Sequence, residues 1–562
     1  MPGAFDRADA LRRLAETQFD VLVVGGGITG AGVALDAASR GLRTALVERD
    51  DFASGTSSKS SKLVHGGLRY LQQGEVGLVY EALAERQRLR VNAPHLVKVL
   101  PFLIPIFSKD GVIPPKIARL MGSAMWAYDL TGGVRIGKMH KRVTADEAMT
   151  YMPTLPRERL AAGYLYYDAR ADDARLTLTV ARTAAIDHGA VIANRCGVVG
   201  VIKDNAGKAC GATVEADGHR IDVKASIVVN AAGVWSDDVR ALDEGSHPNS
   251  IRPAKGIHIT VPWSKVRNDI AVVVPVPKDS RSVFVVGWGQ HTYIGTTDTD
   301  YDGPIDDPQC TPDDIDYLLR AINFSCTTGI SRDDITGTWA GLRPLVKDAG
   351  STKTADLSRK HKVQRSASDV ITITGGKLTT YRRMAADTVD EVMALLGPTG
   401  MPNVHGRSRT KKLRLRGADG YDELVKGAAR IRASVDAATI DHLANRFGGD
   451  THTLLAMIDR DPSLAEPLVP GLPYLKAEAR YAARYEMART LDDILTRRTR
   501  ARLLARDASA AAAADVAQLV ADDLGWDADH QAEQVRRYRE LVQNERHAGN
   551  LPELALDASL GA

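Results

Sequence analysis

Three glycines near the start of the chain have the spacing that binds a dinucleotide. Gly25, Gly27 and Gly30 form G-x-G-x-x-G directly after an apolar run and before an alanine-rich stretch. The first glycine permits a tight turn, the second lets the backbone approach a pyrophosphate, and the third lets the helix pack on the strand. The helix that begins near Ile28 and Thr29 would direct its unpaired N–H groups at the phosphates. The pattern therefore predicts a pyrophosphate site.

A carboxylate completes the pattern. Glu48 ends the next apolar run, at the distance from the glycines where an acidic side chain should accept hydrogen bonds from an adenosine ribose. Strand, glycines, helix, strand and acid occur in this order, which a chance glycine turn would rarely reproduce. Dinucleotide binding is thus predicted, whereas the choice between FAD and NAD needs further signals.

A hydroxyl-rich segment follows at residues 54–62, with the sequence SGTSSKSSK. Such a segment can lie beside an extended cofactor and donate hydrogen bonds along it. It can also be a solvated serine-rich loop, and composition alone favours the loop.

The surrounding elements predict a domain assembled from separated parts of the chain. Residues 19–24 and 42–47 read as buried parallel strands, with a helix at 30–40 between them. Two later β-like runs, 225–229 and 370–374, also end in glycine turns. A chain that returns three times to one sheet implies a discontinuous α/β domain.

The remaining segments predict two further units. Alternating runs at 282–286 and 292–296 favour an antiparallel sheet, and strand patterns vanish after about residue 410. We predict a cofactor domain within 1–409 with an interleaved substrate domain, followed by a helical domain at 410–545. The expected segments are about 18–75, 180–250 and 345–395 for the cofactor domain and about 76–180 and 250–345 for the substrate domain.

Composition excludes several classes of protein. Basic and acidic side chains nearly balance, and the resulting net charge of +3 in 562 residues is too small to indicate nucleic-acid binding. The four separated cysteines fit neither a zinc site nor a disulfide framework, and the histidines lack ligand spacing, so no metal is predicted. The N-terminal segment 1–20 has no apolar core, which argues against a signal peptide, and no run could span a bilayer. A cytoplasmic or membrane-surface protein is expected.

Residues 52–71, FASGTSSKSSKLVHGGLRYL, resemble the FAD-dependent glycerol-3-phosphate dehydrogenases. The resemblance covers essentially the whole chain in the same order. Its further motifs are NAAGVWSDDV (230–239), KGIHI (255–259), IGTTDTDY (294–301), AGLRPL (340–345), LSRKH (357–361) and GGKLTTYR (375–382).

The resemblance implies a fold and an activity. The fold would be a glutathione-reductase-like FAD-binding Rossmann domain with an antiparallel β cap and a C-terminal all-α domain. The activity would be oxidation of sn-glycerol 3-phosphate to dihydroxyacetone phosphate. Electrons would pass to a respiratory quinone from a peripheral position on the inner face of the cell membrane, and a homodimer is a further possibility.

The resemblance also extends the predicted FAD site beyond the glycine turn. A helix after residues 375–376 would aim N–H groups at the flavin edge that becomes negative on reduction. The added cofactor residues are Thr56, Ser57, Ser61, Lys62, Leu63, His65, Gly66, Gly67, Ala232, Gly233, Trp235, Gly376, Lys377, Leu378 and Thr379.

The implied substrate carries a dianionic phosphate, for which arginine is suited because its planar guanidinium can bind two oxygens at once. Arg69, Arg343 and Arg359 lie in the shared motifs, and Lys377 and Tyr70 would join them. A surface ion pair is the alternative for any arginine. Arg343 is also predicted to act in catalysis.

His258 is the first candidate for the base that accepts the hydroxyl proton, because a neutral imidazole is available near neutral pH. Its apolar surroundings equally suit a buried structural histidine. His65 is a second candidate, although its neighbouring glycines favour a flavin contact. Asp298 is expected to fix local structure.

Several alternatives stay open. The arginines at 497, 498, 500, 502 and 506 indicate either a solvated helix face or a contact with anionic lipid. Residues 97–107 and 121–126 could instead dip into a membrane interface. The same scaffold could serve a glycerol-3-phosphate oxidase, a flavin enzyme acting on an amine or amino acid, or a flavin-binding interaction protein.

Overall fold

The computed structural model describes residues 5–67, 75–108, 111–112, 137–279, 281–347, 360–397, 404–427 and 435–555. Three predicted substrate residues, Arg69, Tyr70 and Arg359, lie outside the described residues, as does the segment 121–126.

The described part of the chain forms eighteen strands in two sheets. In chain order they are β1 (Phe19–Val24), β2 (Thr44–Val47), β3 (Leu63–Val64), β4 (Lys98–Phe107), β5 (Lys141–Thr144), β6 (Leu160–Arg170), β7 (Val191–Ala193), β8 (Gly197–Lys203), β9 (Ala209–Ala216), β10 (His219–Asn230), β11 (Ile251–Pro262), β12 (Ala271–Pro275), β13 (Ser282–Trp288), β14 (His291–Gly295), β15 (Thr299–Asp300), β16 (Gly337–Val346), β17 (Lys362–Arg365) and β18 (Ile371–Thr374).

The α-helices of the described residues surround and follow these sheets. They are α1 (Arg7–Glu16), α2 (Ile28–Ser39), α3 (Val76–Asn92), α4 (Ala145–Tyr151), α5 (Asp173–Arg182), α6 (Ser236–Glu244), α7 (Trp263–Val266), α8 (Pro312–Ser325), α9 (Tyr381–Leu396), α10 (Tyr421–Gly427), α11 (Ala437–Phe447), α12 (Thr451–Arg460), α13 (Lys476–Tyr485), α14 (Ala501–Leu504), α15 (Arg506–Ala511), α16 (Ala513–Leu524) and α17 (Ala528–Gly549).

The first sheet has the order β17-β18-β10-β1-β2-β7, extended by β9 and β8. Strands β18, β10, β1, β2 and β7 run parallel, and every residue of β1 is buried. Val24 pairs with both Val47 and Asn230, so the carboxyl ends of the central strands meet at one edge. The predicted sheet built from residues 19–24, 42–47, 225–229 and 370–374 is confirmed.

The second sheet has the order β15-β11-β14-β13-β12-β4-β6-β3, with β16 beside β11 and β5 beside β6. Its pairs are antiparallel except β12 with β4, which confirms the antiparallel pairing predicted for residues 282–286 and 292–296. Strand β4 lies inside this sheet, and Phe102–Phe107 are buried. The interpretation of residues 97–107 as a membrane-dipping segment is therefore wrong.

The described residues from 421 to 549 are helical apart from turns and short loops, as the composition predicted. Helices α13, α16 and α17 pack around a core that includes Ala482, Leu495, Val520 and Tyr538. No helix in the described ranges is long and apolar enough to cross a membrane. The exact domain boundaries stay a prediction.

The arginines at 497, 498, 500 and 506 are buried and Arg502 is mostly buried and ion-paired, so both interpretations of the cluster as an exposed face are wrong. Arg498, Arg500 and Arg506 are at most 2% exposed. Their partners are carboxylates of both the helical part and the preceding α/β part of the chain, which sequence spacing could not reveal. The pairs are Arg497 with Asp51, Asp492 and Asp493, Arg498 with Asp51 and Glu486, Arg500 with Asp172 and Asp173, Arg502 with Asp492 and Glu545, and Arg506 with Asp507.

Asp51 is a sensitive point of this network. Its carboxylate accepts hydrogen bonds from Arg497 Nε at 2.7 Å and from Arg498 Nη1 and Nη2 at 2.7 and 2.8 Å. Burial alone would raise the pKa of Asp51, but Arg498 and Arg497 more than offset it and hold the pKa below its usual range. The network therefore stabilises the fold only while Asp51 is ionised.

Replacing Asp51 with asparagine should lower the free energy of unfolding by about 3–5 kcal/mol at pH 7, because two buried guanidinium groups lose their counter-charge. Since the folded-state pKa is the lower one, this contribution is present above about pH 4 and is lost as the pH falls further. Urea unfolding of both proteins across this range measures the difference. Asp222→Asn, at an exposed position on β10, is the control and should change stability by less than about 0.5 kcal/mol.

Candidate active site

A cavity of about 240 Å³ opens at the edge where the carboxyl ends of β1, β2 and β10 meet. This is the edge at which parallel α/β sheets bind ligands. Many residues predicted to bind the cofactor line it: Gly25, Gly27, Ile28, Thr29, Glu48, Thr56, Ser57, Ala232, Gly233, Trp235, Gly376, Lys377 and Leu378.

The glycine turn admits no side chains at two positions. Gly25 has φ +112°, and a Cβ there would lie 2.7 Å from the Ala231 carbonyl oxygen. A Cβ on Gly30 would overlap the carbonyl oxygen of Gly25. The first and third glycines thus let β1, α2 and the end of β10 approach one another closely.

Helix α2 presents its N-terminus to this cavity. Its N-cap, Gly27, offers no side-chain cap, and the backbone N–H of Ile28 donates to Ser57 Oγ at 2.9 Å. Ser57 belongs to the hydroxyl-rich segment, whose neighbour Thr56 donates to the Leu342 carbonyl at 2.5 Å. The segment therefore lies along the cavity and is not a free surface loop.

Glu48 is held at the end of β2 by two backbone donors. Its carboxylate accepts from the Gly26 N–H at 2.6 Å and from the Asp50 N–H at 2.8 Å. Burial raises the pKa of Glu48 to about 7, although the two N–H groups oppose the shift. Its place in the lining is suited to a ribose contact.

The lining also includes the turn that leads into α9. Gly376 has φ +77°, and a Cβ there would overlap Met384 Sδ. A single 3₁₀ turn, Leu378–Thr380, then leads into α9, which begins at Tyr381. The helix predicted after residues 375–376 is confirmed, although α9 begins only at Tyr381.

The second sheet carries three glycines on the face that meets the hydroxyl-rich segment. A Cβ on Gly256 would lie 2.5 Å from Arg343 Nη2, and one on Gly295 would overlap the His258 ring. A Cβ on Gly341 would lie 2.6 Å from the Lys59 carbonyl oxygen. The motifs KGIHI, IGTT and AGLR therefore each need a glycine at this position, because a side chain would collide with its neighbour. The sequence alone did not reveal this requirement.

His258 lies on this face and is 2% exposed. Its Nε2 is 2.9 Å from Ser61 Oγ, and its ring stacks on Trp339 with centroids 4.7 Å apart. Nδ1 has no hydrogen-bond partner in the described part of the protein. Burial, together with Lys62 and Arg343, holds the pKa of His258 well below 6.5. The imidazole is therefore neutral at physiological pH.

Arg343 is held in place by its neighbours on the same face. Nη1 donates to Asp298 Oδ1 at 3.0 Å, and Nη2 donates to Thr296 Oγ1 and the Thr297 carbonyl at 3.2 and 3.1 Å. The side chain keeps 22% of its surface exposed. Asp298 thus fixes local structure, as expected, by orienting a cation near His258.

The Lys62 side chain is buried beside the segment, and its contact with the cofactor stays a prediction. It is 2% exposed and does not line the cavity. Its ammonium donates to the Ser58 carbonyl at 3.1 Å, pairs with Asp173 at 3.3 Å and lies 4.6 Å from the Trp339 ring centroid. Burial lowers the pKa of Lys62 to about 8. The side chain supports the segment from beneath.

The other predicted cofactor residues continue from this segment into the second sheet. Leu63 begins β3, and the His65 N–H donates to Thr379 Oγ1 at 3.2 Å. Gly66 and Gly67 follow directly. None of them lines the cavity, so their contact with the cofactor stays a prediction.

Sequence reasoning missed three residues that position the segment. Trp339 Nε1 donates to the Ser60 carbonyl at 3.2 Å, and Tyr293 OH donates to the Ser61 carbonyl at 2.9 Å. Asp173 Oδ2 accepts from both Ser60 N and Ser60 Oγ. Trp339 and Tyr293 directly precede the motifs AGLRPL and IGTTDTDY, whereas Asp173 lies in none of the quoted motifs.

Comparison with known proteins agrees with this arrangement. Residues 20–377 match the family described as FAD dependent oxidoreductase, and residues 408–531 match the C-terminal domain of alpha-glycerophosphate oxidase. Glycerol-3-phosphate dehydrogenase 2 of Mycobacterium tuberculosis is 42% identical over 97% of this chain and 91% of its own length. The human mitochondrial glycerol-3-phosphate dehydrogenase is 35% identical over 94% of this chain and 74% of its own.

A solved structure extends the comparison to the fold. The glycerol-3-phosphate dehydrogenase from Bacillus halodurans, complexed with FAD, has a TM-score of 0.76 and 31% identity, and the match covers 99% of this chain and 98% of that one. The fold and site define an FAD-dependent oxidoreductase, as predicted, and FAD is its cofactor. The chain belongs to the family of FAD-dependent glycerol-3-phosphate dehydrogenases.

FAD fits the cavity because the N-terminus of α2, a glycine turn and a carboxylate converge there. At pH 8, above the pKa of Glu48, Glu48→Ala should weaken FAD binding about 10–100-fold, since hydrogen bonds to a charged acceptor contribute about 1.5–3 kcal/mol. Flavin fluorescence during titration of the apoprotein measures the change. Glu215→Ala, at an exposed position on β9, should leave the affinity unchanged. Equal affinities for wild type and Glu48→Ala would contradict the assignment.

Proposed function

We propose that this enzyme oxidises sn-glycerol 3-phosphate to dihydroxyacetone phosphate. The observation that carries the proposal is a neutral buried His258, hydrogen bonded to Ser61 and placed near Arg343, on a face that meets the segment lining the FAD cavity. The relatives' names supply the substrate. When bound, FAD supplies the group that accepts the hydride.

The residues divide the remaining tasks. Arg343, held by Asp298, and Lys377 would bind the phosphate, joined by Arg69, Tyr70 and Arg359 as the sequence predicts. The His258 imidazole would take the C2 hydroxyl proton, with Ser61 fixing the ring. The N-terminal end of α9 would stabilise negative charge on the reduced cofactor.

We further propose that electrons pass to a respiratory quinone, with the enzyme cytoplasmic and peripheral on the inner face of the cell membrane. The dehydrogenase names of full-length relatives support this choice over an oxidase. The cations near the site argue against an amine or amino-acid substrate. A homodimer stays a prediction.

Steady-state turnover tests the acceptor. With sn-glycerol 3-phosphate and a short-chain quinone, we expect quinol and dihydroxyacetone phosphate in equal amounts and little hydrogen peroxide. Stoichiometric peroxide in air, with no faster turnover when quinone is added, would favour the oxidase. Absence of any turnover with both acceptors would leave the flavin-binding scaffold as the remaining interpretation.

A further inference from the structure

A row of cations lies at the start of the region that matches the C-terminal domain of alpha-glycerophosphate oxidase. Residues 407–416 have the sequence RSRTKKLRLR, with six basic and no acidic side chains. Arg407, Arg409, Lys411 and Lys412 are exposed. In the described ranges of the chain, no carboxylate forms an ion pair with any of these four. By contrast, Arg414 pairs with Asp419.

The two hydroxyl residues that lie between these cations in the sequence anchor the backbone of the row. Ser408 Oγ and Thr410 Oγ1 both donate to the buried carboxylate of Asp36, the latter at 3.1 Å. Asp36 is itself paired with Arg40 at 2.5 Å. Ser408 and Thr410 thus face the interior, while Arg407, Arg409, Lys411 and Lys412 stay exposed around them.

The row adjoins the end of helix α3. Asn92 Nδ2 donates to the carbonyls of Thr410 and Lys411 at 3.2 and 3.4 Å. On the same helix Val76, Tyr80 and Val91 are 53%, 51% and 52% exposed. Their positions, i, i+4 and i+15, place them on one helical face. Exposed apolar groups thus lie on the element to which the cationic row is anchored.

We propose that residues 407–412 and the Val76–Tyr80–Val91 face of α3 form a docking surface for an anionic lipid bilayer. Lysine and arginine attract acidic headgroups, while valine and tyrosine can enter the interface. A nucleic acid would use the cations but not the apolar face. This inference rests on the peripheral membrane position in the proposed function. The lipid contact is assigned to residues 407–412 and α3, because the arginines at 497–506 are engaged in ion pairs inside the protein.

Vesicle sedimentation tests the surface with full-length holoenzyme. The protein should pellet with vesicles of phosphatidylglycerol and phosphatidylcholine at low salt, but not with pure phosphatidylcholine. A quadruple variant, Arg407→Gln, Arg409→Gln, Lys411→Gln and Lys412→Gln, should bind about 10²-fold more weakly. Val76→Ser with Val91→Ser should weaken the binding that survives high salt.

The matched control removes four other exposed cations, on β5, β10, α8 and α12: Arg142→Gln, Lys224→Gln, Arg320→Gln and Arg460→Gln. It has the same net charge as the test variant and should bind like wild type. Equal loss in both variants would overturn the proposal and indicate a response to net charge alone. Binding to poly(U) but not to vesicles would overturn it in favour of a nucleic acid.

Activity measured on the same samples separates this inference from the proposed function. Turnover of sn-glycerol 3-phosphate with the water-soluble dye dichlorophenolindophenol should be unchanged in the quadruple variant, because residues 407–412 lie outside the cavity lining. Full dye turnover with no wild-type binding to any vesicle would reject the docking surface and leave the chemistry intact. Vesicle binding without turnover would reject the chemistry alone.

Discussion

Replacing His258 with asparagine should slow reduction of the flavin by substrate about 10²–10⁴-fold, the usual contribution of a positioned acid or base. The imidazole is the neutral, buried group near Arg343, and its Nδ1 has no partner among the described residues. FAD should stay bound because His258 does not line the cavity. Stopped-flow absorbance under anaerobic conditions gives the rate directly.

A second buried histidine provides the control. His291→Asn alters a 2% exposed residue on β14 of the same sheet, and it should change the rate by less than about threefold. Because the pKa of His258 lies well below 6.5, the rate in wild type should show no acidic limb between about pH 6 and 7. If the rate of flavin reduction in His258→Asn were within threefold of wild type, His258 would not be the base and would have only a structural role.

Gly30→Ala should abolish stable FAD binding, with flavin content after purification at least tenfold lower (about 1.4 kcal/mol or more). A Cβ at this position overlaps the backbone carbonyl of Gly25, so β1 and α2 must separate. The turn at the carboxyl end of β1 would then lose its shape. Flavin absorbance relative to protein absorbance measures the loss.

The control for Gly30 is Gly77→Ala in α3, where an added Cβ would meet nothing within 4 Å. Alanine favours helix over glycine by up to about 1 kcal/mol, so this variant should keep its flavin and be equally or slightly more stable. Normal flavin content in Gly30→Ala would contradict the close packing of strand and helix at the turn.

Local sequence patterns predicted the cofactor half of the molecule well. The run Phe19–Val24, the glycine turn and Glu48 are close in the chain, so their spacing fixes their geometry. From the sequence, the hydroxyl-rich segment could have been either a cofactor-binding segment or a surface loop. The contacts that place it along the cavity are made with Ile28 and Leu342, which are remote in sequence.

Long-range ion pairing was beyond the reach of sequence. The arginines at 497–506 have the composition of an exposed basic helix, yet Arg498 meets Asp51 from 447 residues away. Lys62 likewise turns inward because Asp173 and Trp339 lie beneath it. The sequence does not show which carboxylate a charged side chain will meet, whereas a glycine in a tight turn does indicate the backbone conformation at its own position.

Anaerobic mixing of the purified flavoprotein with sn-glycerol 3-phosphate tests the central claim most directly. We predict prompt loss of the oxidised flavin absorbance, with formation of one dihydroxyacetone phosphate per flavin and no response to glycerol or to the opposite enantiomer. A flavin that stays oxidised with sn-glycerol 3-phosphate, in a protein that retains its FAD, would contradict the proposed substrate.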